Sequence, residues 1–174
     1  MANRDAPHGF SYIANLTGGG ERLRTMIHAA ADSVAIGRGD LVTVTGAADT
    51  VEQYDNNDSV TGLALNYVAL SVLGDVHVVF LNHTSVLEAQ EDSAGGDIAA
   101  ASEGLNVEVL VGAASTTTGL SIMELDSSTA ATTNTLACRL WMPNPRVGNR
   151  VADTNASWWV TPLELDLAEA KVGV

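Results

Sequence analysis

LNVEVLVG (Leu105–Gly112) sets Leu105, Val107, Val109 and Val111 against Asn106 and Glu108. Successive side chains of extended backbone point to opposite faces, so this alternation predicts a strand with one face in a core. The same period recurs along the chain. VHVVFLN puts Val76, Val78 and Phe80 on one face, and TGLALNYVAL does so with Leu63, Leu65 and Tyr67. GDLVTVTG (Gly39–Gly46), TGLSIMELD, TLACRLWM and SWWVTPLELDL complete the series, separated by turn-forming stretches such as DNNDS, DSAGGD and STAATTN. Many short alternating runs with such punctuation predict an all-β sandwich or barrel, jelly-roll-like and with little helix.

Two segments read both ways. ERLRTMIHAAAD spaces Leu23, Met26, Ile27 and Ala30 as a helix would, and Leu23, Thr25, Ile27 and Ala29 as a strand would. PLELDLAEAKVGV alternates through Leu163, Leu165 and Leu167 and then turns Ala- and Glu-rich. Residues 1–19 lack regular apolar repeats and read as an extended N-terminal arm, with Phe10, Tyr12 and Ile13 to dock it. Residues 20–174 read as a single β-domain.

A chain of 174 residues buries roughly 70% of its unfolded surface in one core. With only 5% aromatic residues, that core must be built from Val, Leu, Ala and Ile. The net charge is −13 and Lys171 is the one lysine, which argues against binding a phosphate backbone. No run approaches the ~20 apolar residues of a membrane span. The N-terminus lacks the apolar stretch of a secretory signal, so the expectation is a soluble protein made in a cytoplasm. The single cysteine, Cys138, forms no internal disulfide or CxxC metal site and reads as a small core residue.

Chemistry leaves few traces. His8, His28, His77 and His83 form no HxH or HExxH pattern, and no GxSxG elbow presents a serine. DNNDSVTG lacks the alternating ligands and sixth-position glycine of a calcium loop and reads as a turn. TGGGE lacks the lysine of a phosphate loop. GRGD (Gly37–Asp40) reads as the turn into a strand. These patterns predict no catalytic residue, metal or cofactor.

Read in order, several segments resemble the capsid cement, or decoration, proteins of tailed bacteriophages. IGRGDLVTVTG is similar to an early "GD-V" element and TGLALNYVAL to a middle "GLAL-Y" strand. VHVVFLNHTSVLEAQED resembles an apolar strand followed by "EAQ-D". CRLWMPNPRVGNRVADTNASWWVTPLE resembles a closing Pro- and Asn-rich turn with "VGN" and a last strand. The likeness spans about Gly37 to Glu164. The chain departs from the family at NHTS (Asn82–Ser85), where a proline is usual.

The resemblance implies a β-sandwich or barrel on the outer surface of an icosahedral virion, made in the bacterial host cytoplasm. It also implies no cofactor, a homotrimer ahead of a dimer, and the major capsid protein of the same phage as partner. By that analogy ERLRTMIHAAAD is a strand. A virion-displayed domain binding host-surface glycan or receptor is the alternative.

Cys138–Val160 concentrates all three tryptophans, three of the seven arginines and two of the four prolines. Pro143 and Pro145 stiffen a loop, which lowers the entropy lost on binding. Trp141, Arg146, Arg150, Trp158 and Trp159 are of the types enriched at interface hot spots. Trp158 and Trp159 are adjacent and must face opposite ways in a regular strand, so one of them leaves the local core. The competing expectation is that the tryptophans supply bulk to an aromatic-poor core. Arg4, Phe10 and Tyr12 of the N-terminal arm are the second group of candidate contacts.

Overall fold

A computed structural model of the protein describes residues 3–19, 22–29, 31–45, 49–56, 58–151, 153–163 and 165. Its strands are β1 (Ser11–Asn15), β2 (Arg22–His28), β3 (Leu41–Val44), β4 (Thr50–Gln53), β5 (Gly62–Ala64) and β6 (Gly74–Phe80). They continue as β7 (Ser85–Gln90), β8 (Asn106–Leu110), β9 (Glu124–Ala131), β10 (Cys138–Pro143) and β11 (Ser157–Pro162), with one 3₁₀ turn at Ala100–Ser102. The fold is all-β. Strands β2-β4-β3-β5-β6 close a barrel, and β1-β7-β11-β10-β8-β9 form a six-stranded sheet. Closure comes from β2, which pairs antiparallel with β6 and parallel with β4.

The barrel and the sheet share a core because β3, β5 and the end of β6 bury both faces. On β6, Val76 and Val78 point into the barrel with Met26, Ile36, Val42 and Val51. Val79 points the other way, joining Leu41, Leu63, Phe10 and Tyr54 against Leu87, Val109, Leu140 and Trp158 of the sheet. Buried aliphatic surface contributes about 25 cal/mol per Å², so this second cluster, mostly aliphatic with three aromatic anchors, is the main bond between the two halves.

ERLRTMIHAAAD contains a strand, Arg22–His28. The buried His28 ends it, its Nδ1 lying 2.9 Å from the Val72 carbonyl and its Nε2 3.0 Å from that of Val34. Three expectations need correcting. β5 ends at Ala64, and Leu63 is buried while Leu65 is exposed, although the Leu65 N–H still bonds His77 O at 2.8 Å. STAATTN is not wholly a turn, because β9 runs on to Ala131 in a ladder with β8. Residues 11–15 of the expected arm form the edge strand β1, paired with β7. Glu108, on the polar face of the alternating β8 run, is also buried, and it accepts the Tyr54 hydroxyl at 3.2 Å.

GRGD makes the turn where N-terminal segment, barrel and sheet converge. Gly39 accepts the Phe10 N–H at 2.8 Å and donates to Ala64 O at 2.9 Å, while Arg38 donates to Gly119 O at 2.9 Å. Asp40 is fully buried, accepting the Gly37 N–H at 2.6 Å and Gln53 Nε2 at 2.9 Å. The segment is therefore a structural turn, with Arg38 alone exposed among its four residues. Gly39 sits at φ +95°, and a Cβ there would lie 2.6 Å from His8 O and 3.1 Å from Phe10 O. Both obstacles are backbone. Gly39→Ala should cost about 2 kcal/mol and lower Tm by roughly 5 °C in thermal unfolding.

Candidate functional site

The sheet face turned away from the barrel carries the exposed half of the Trp-rich segment. Trp158 points inward, fully buried, and Trp159 points outward, as adjacent residues of a strand must. Trp141 reaches the same outer face through a bulge. Leu140 pairs with Val160 and Met142 with Trp159, leaving Trp141 as the extra residue of β10. A bulge of this kind re-aims a side chain, and here it sets Trp141 against Trp159. The rings stack with centroids 5.9 Å apart and planes 21° from parallel. Trp141 remains 41% exposed, so the stack leaves a large apolar surface open to solvent. Trp159 Nε1 is buried and has no hydrogen-bond partner among the described residues.

A cleft of about 330 Å³ lies between residues 3–8 and the loop after β10. Arg4, His8, Gln90, Arg146, Asn155 and Ser157 are among its lining residues, and among the described residues no Asp or Glu is. Ser157 alternates with Trp158 and so shares the outer face with Trp159, about 7 Å further along β11. Several hydrogen bonds fix the walls. Gln90 Nε2 donates to Arg4 O at 2.6 Å and to Asn155 O at 2.9 Å, and its Oε1 accepts the Ala6 N–H at 3.2 Å. Asn3 Nδ2 donates to Arg150 O at 2.8 Å, while Asn3 Oδ1 accepts the Arg150 N–H at 2.9 Å. Arg146 donates through a terminal guanidinium nitrogen to Ser157 Oγ at 3.3 Å.

Gln90 belongs to a run of three buried polar residues, Gln90-Glu91-Asp92, that ends the EAQED element. Each holds a different segment. Glu91 accepts the Ile98 N–H at 3.1 Å, Trp158 Nε1–H at 3.1 Å and the Ala156 N–H at 3.3 Å. Asp92 accepts the Ser127 N–H at 2.9 Å and the Ser127 hydroxyl at 2.5 Å. Burial pushes the Glu91 carboxyl up to about 7, outweighing its three hydrogen bonds, with Asp97 adding a smaller push in the same direction. EAQED is thus a clamp that pins the N-terminal segment, the start of β11 and β9 to the end of β7.

Of the expected contact residues, Trp141 and Trp159 meet in the stack, and Arg4 and Arg146 line the cleft. Arg150 is exposed nearby, 3.9 Å from Asp153. Tyr12 is half-buried and packs against the core. Phe10 is 2% exposed and Trp158 fully buried, so both are corrected to core residues. The clamp residues Gln90 and Glu91 belong to the EAQED element but are not among the expected contact residues. Their signal was an uninterrupted polar run closing an apolar strand.

Among the described residues, no group of three or more His, Cys, Asp or Glu side chains is placed to hold a metal ion. Cys138 is buried, and burial pushes its thiol far above the ordinary range. Comparison with models of known protein families finds no match, and no curated protein sequence matches the chain.

Proposed function

We propose that the chain is a structural virion protein that binds the outer surface of a phage icosahedral capsid and stabilises contacts between major capsid protein subunits. In this reading a jelly-roll-like β-domain with an N-terminal arm acts as a homotrimer or dimer and works without catalysis. The observation that carries it is the Trp141–Trp159 stack, open to solvent on the outer face of the sheet. Tryptophan is the residue most enriched where binding energy concentrates, and a bulge that aims one outward creates a contact. The order of the sequence elements resembling cement proteins points the same way. Symmetric repetition would let many modest contacts add up across a shell.

The test is co-sedimentation of purified protein with empty phage capsids, together with light scattering of the free 18.0 kDa chain over a dilution series. Wild type should bind, and Trp141→Ala should bind roughly 30-fold more weakly per site while remaining folded, in line with the ~2 kcal/mol of a hot-spot truncation. Wild type that fails to bind shells removes the reading. The near-parallel tryptophan rings also favour the second reading, a virion-displayed domain whose aromatic platform binds host-surface glycan. Binding to soluble glycans, lost in Trp141→Ala, with none to shells would select that reading instead.

A further inference from the structure

We infer that the cleft between residues 3–8 and the loop after β10 is a carboxylate-binding site that receives an Asp or Glu side chain from an acidic segment of a partner protein. The chain has 21 acidic residues against eight Lys and Arg, yet among the described residues this cleft is lined by Arg4, Arg146 and His8 and by no carboxylate. Arg4 and Arg146 are 142 positions apart in sequence and come to line one cleft only through folding. Their convergence is built rather than incidental. Gln90, only 6% exposed, ties the Arg4 carbonyl to that of Asn155, and Ser157 Oγ holds the Arg146 guanidinium. His8 Nδ1 lies 3.3 Å from Ala6 O, which orients its ring on the same wall.

Planar guanidinium groups match carboxylates in a forked geometry, and charge-assisted hydrogen bonds are about twice as strong as neutral ones. A nucleic acid offers phosphate to the same groups, but a net charge of −13 repels a polyanion over the rest of the surface. A volume of about 330 Å³ suits one or two inserted side chains rather than a backbone groove. An acidic loop presents a carboxylate locally, and salt screens the long-range repulsion over roughly 10 Å. This geometry accepts an acidic loop whether or not its owner is a capsid subunit.

The test uses the whole chain and acetyl-Gly-Asp-Asp-Gly-amide, followed by shifts in amide and arginine Nε–H NMR signals, with the Asn-Asn peptide as control. Inorganic phosphate is titrated separately. The Asp peptide should shift signals of Arg4, Arg146, Gly148 and Ser157 with about millimolar affinity. Binding should weaken at least about tenfold in the double variant Arg4→Gln/Arg146→Gln, which alters exposed groups only. Raising the salt should weaken it as well. Absent shifts, equal shifts with the Asn peptide, or shifts that persist in a folded double variant would overturn the proposal. So would phosphate binding at these residues more tightly than the Asp peptide.

Discussion

Glu91→Ala is expected to lower stability at pH 5.5 by about 4 kcal/mol, a drop in Tm of roughly 12 °C. The carboxyl of Glu91 is the acceptor for three donors, Ile98 N–H, Ala156 N–H and Trp158 Nε1–H. Truncation strands all three in a buried site, and each stranded donor costs about 1–3 kcal/mol. The missing side chain also leaves a void beside Trp158, the largest fully buried residue of the chain. The loss should be smaller at pH 8. There the wild type holds a buried carboxylate whose burial opposes its charge, and alanine removes that penalty along with the hydrogen bonds. Glu91→Gln keeps one acceptor oxygen and should fall between wild type and alanine. Chemical denaturation at both pH values checks this. An alanine variant within about 1 kcal/mol of wild type at pH 5.5 would show that Glu91 is not the clamp described.

Why this residue could be found only in the structure follows from how its bonds are made. Glu91 meets Ala156 and Trp158 at separations of 65 and 67 residues, and no local pattern encodes such distances. Period-two alternation, in contrast, is local, and it placed β6 well. Val76, Val78 and Phe80 do share a face. It also required Trp158 and Trp159 to diverge, though burial had to say which turned inward. Alternation failed to foresee the exposure of Leu65, whose N–H still bonds His77 O at 2.8 Å although β5 has ended. It failed again at residues 11–15, where a weakly apolar segment is recruited as an edge strand by the exposed hydrogen-bonding groups of β7. The bulge at Trp141 is set by pairing between β10 and β11, so the stack on the outer face had no signature in either strand alone. The cleft is the extreme case. Arg4 and Arg146 were separate candidates until Gln90 brought their segments together.

The second large effect is a rise in stability on acidification, which runs against the usual behaviour of an acid-rich protein. Among the described residues burial raises five carboxyls, Glu52 and Asp58 less than the other three. Glu91 and Glu124 are pushed up to about 7 and Asp40 to about 6, each chiefly by burial, with Asp5 and Asp92 adding to the push on Glu124. An acid whose folded value exceeds its unfolded value binds protons more tightly when folded. Its contribution to stability is therefore complete below the unfolded value and is lost as pH rises through the folded one. A tenfold change in proton affinity between the folded and unfolded chain is worth about 1.4 kcal/mol. Between pH 5 and pH 8, Glu91 and Asp40 together should therefore remove about 4 kcal/mol, and Glu124, partly exposed, adds less. Tm should be roughly 10 °C higher at pH 5 than at pH 8. Repulsion within a chain of net charge −13 acts in the same direction, but salt separates the two. Exposed repulsion is screened at high ionic strength, whereas buried carboxyls are screened far less. Thermal scans in high salt should keep most of the difference in wild type, lose more than half of it in Glu91→Gln, and lose most of the remainder when Asp40→Asn is added. A wild-type profile flat from pH 5 to pH 8 would mean that these three groups are not held in the low-polarity surroundings that the fold gives them.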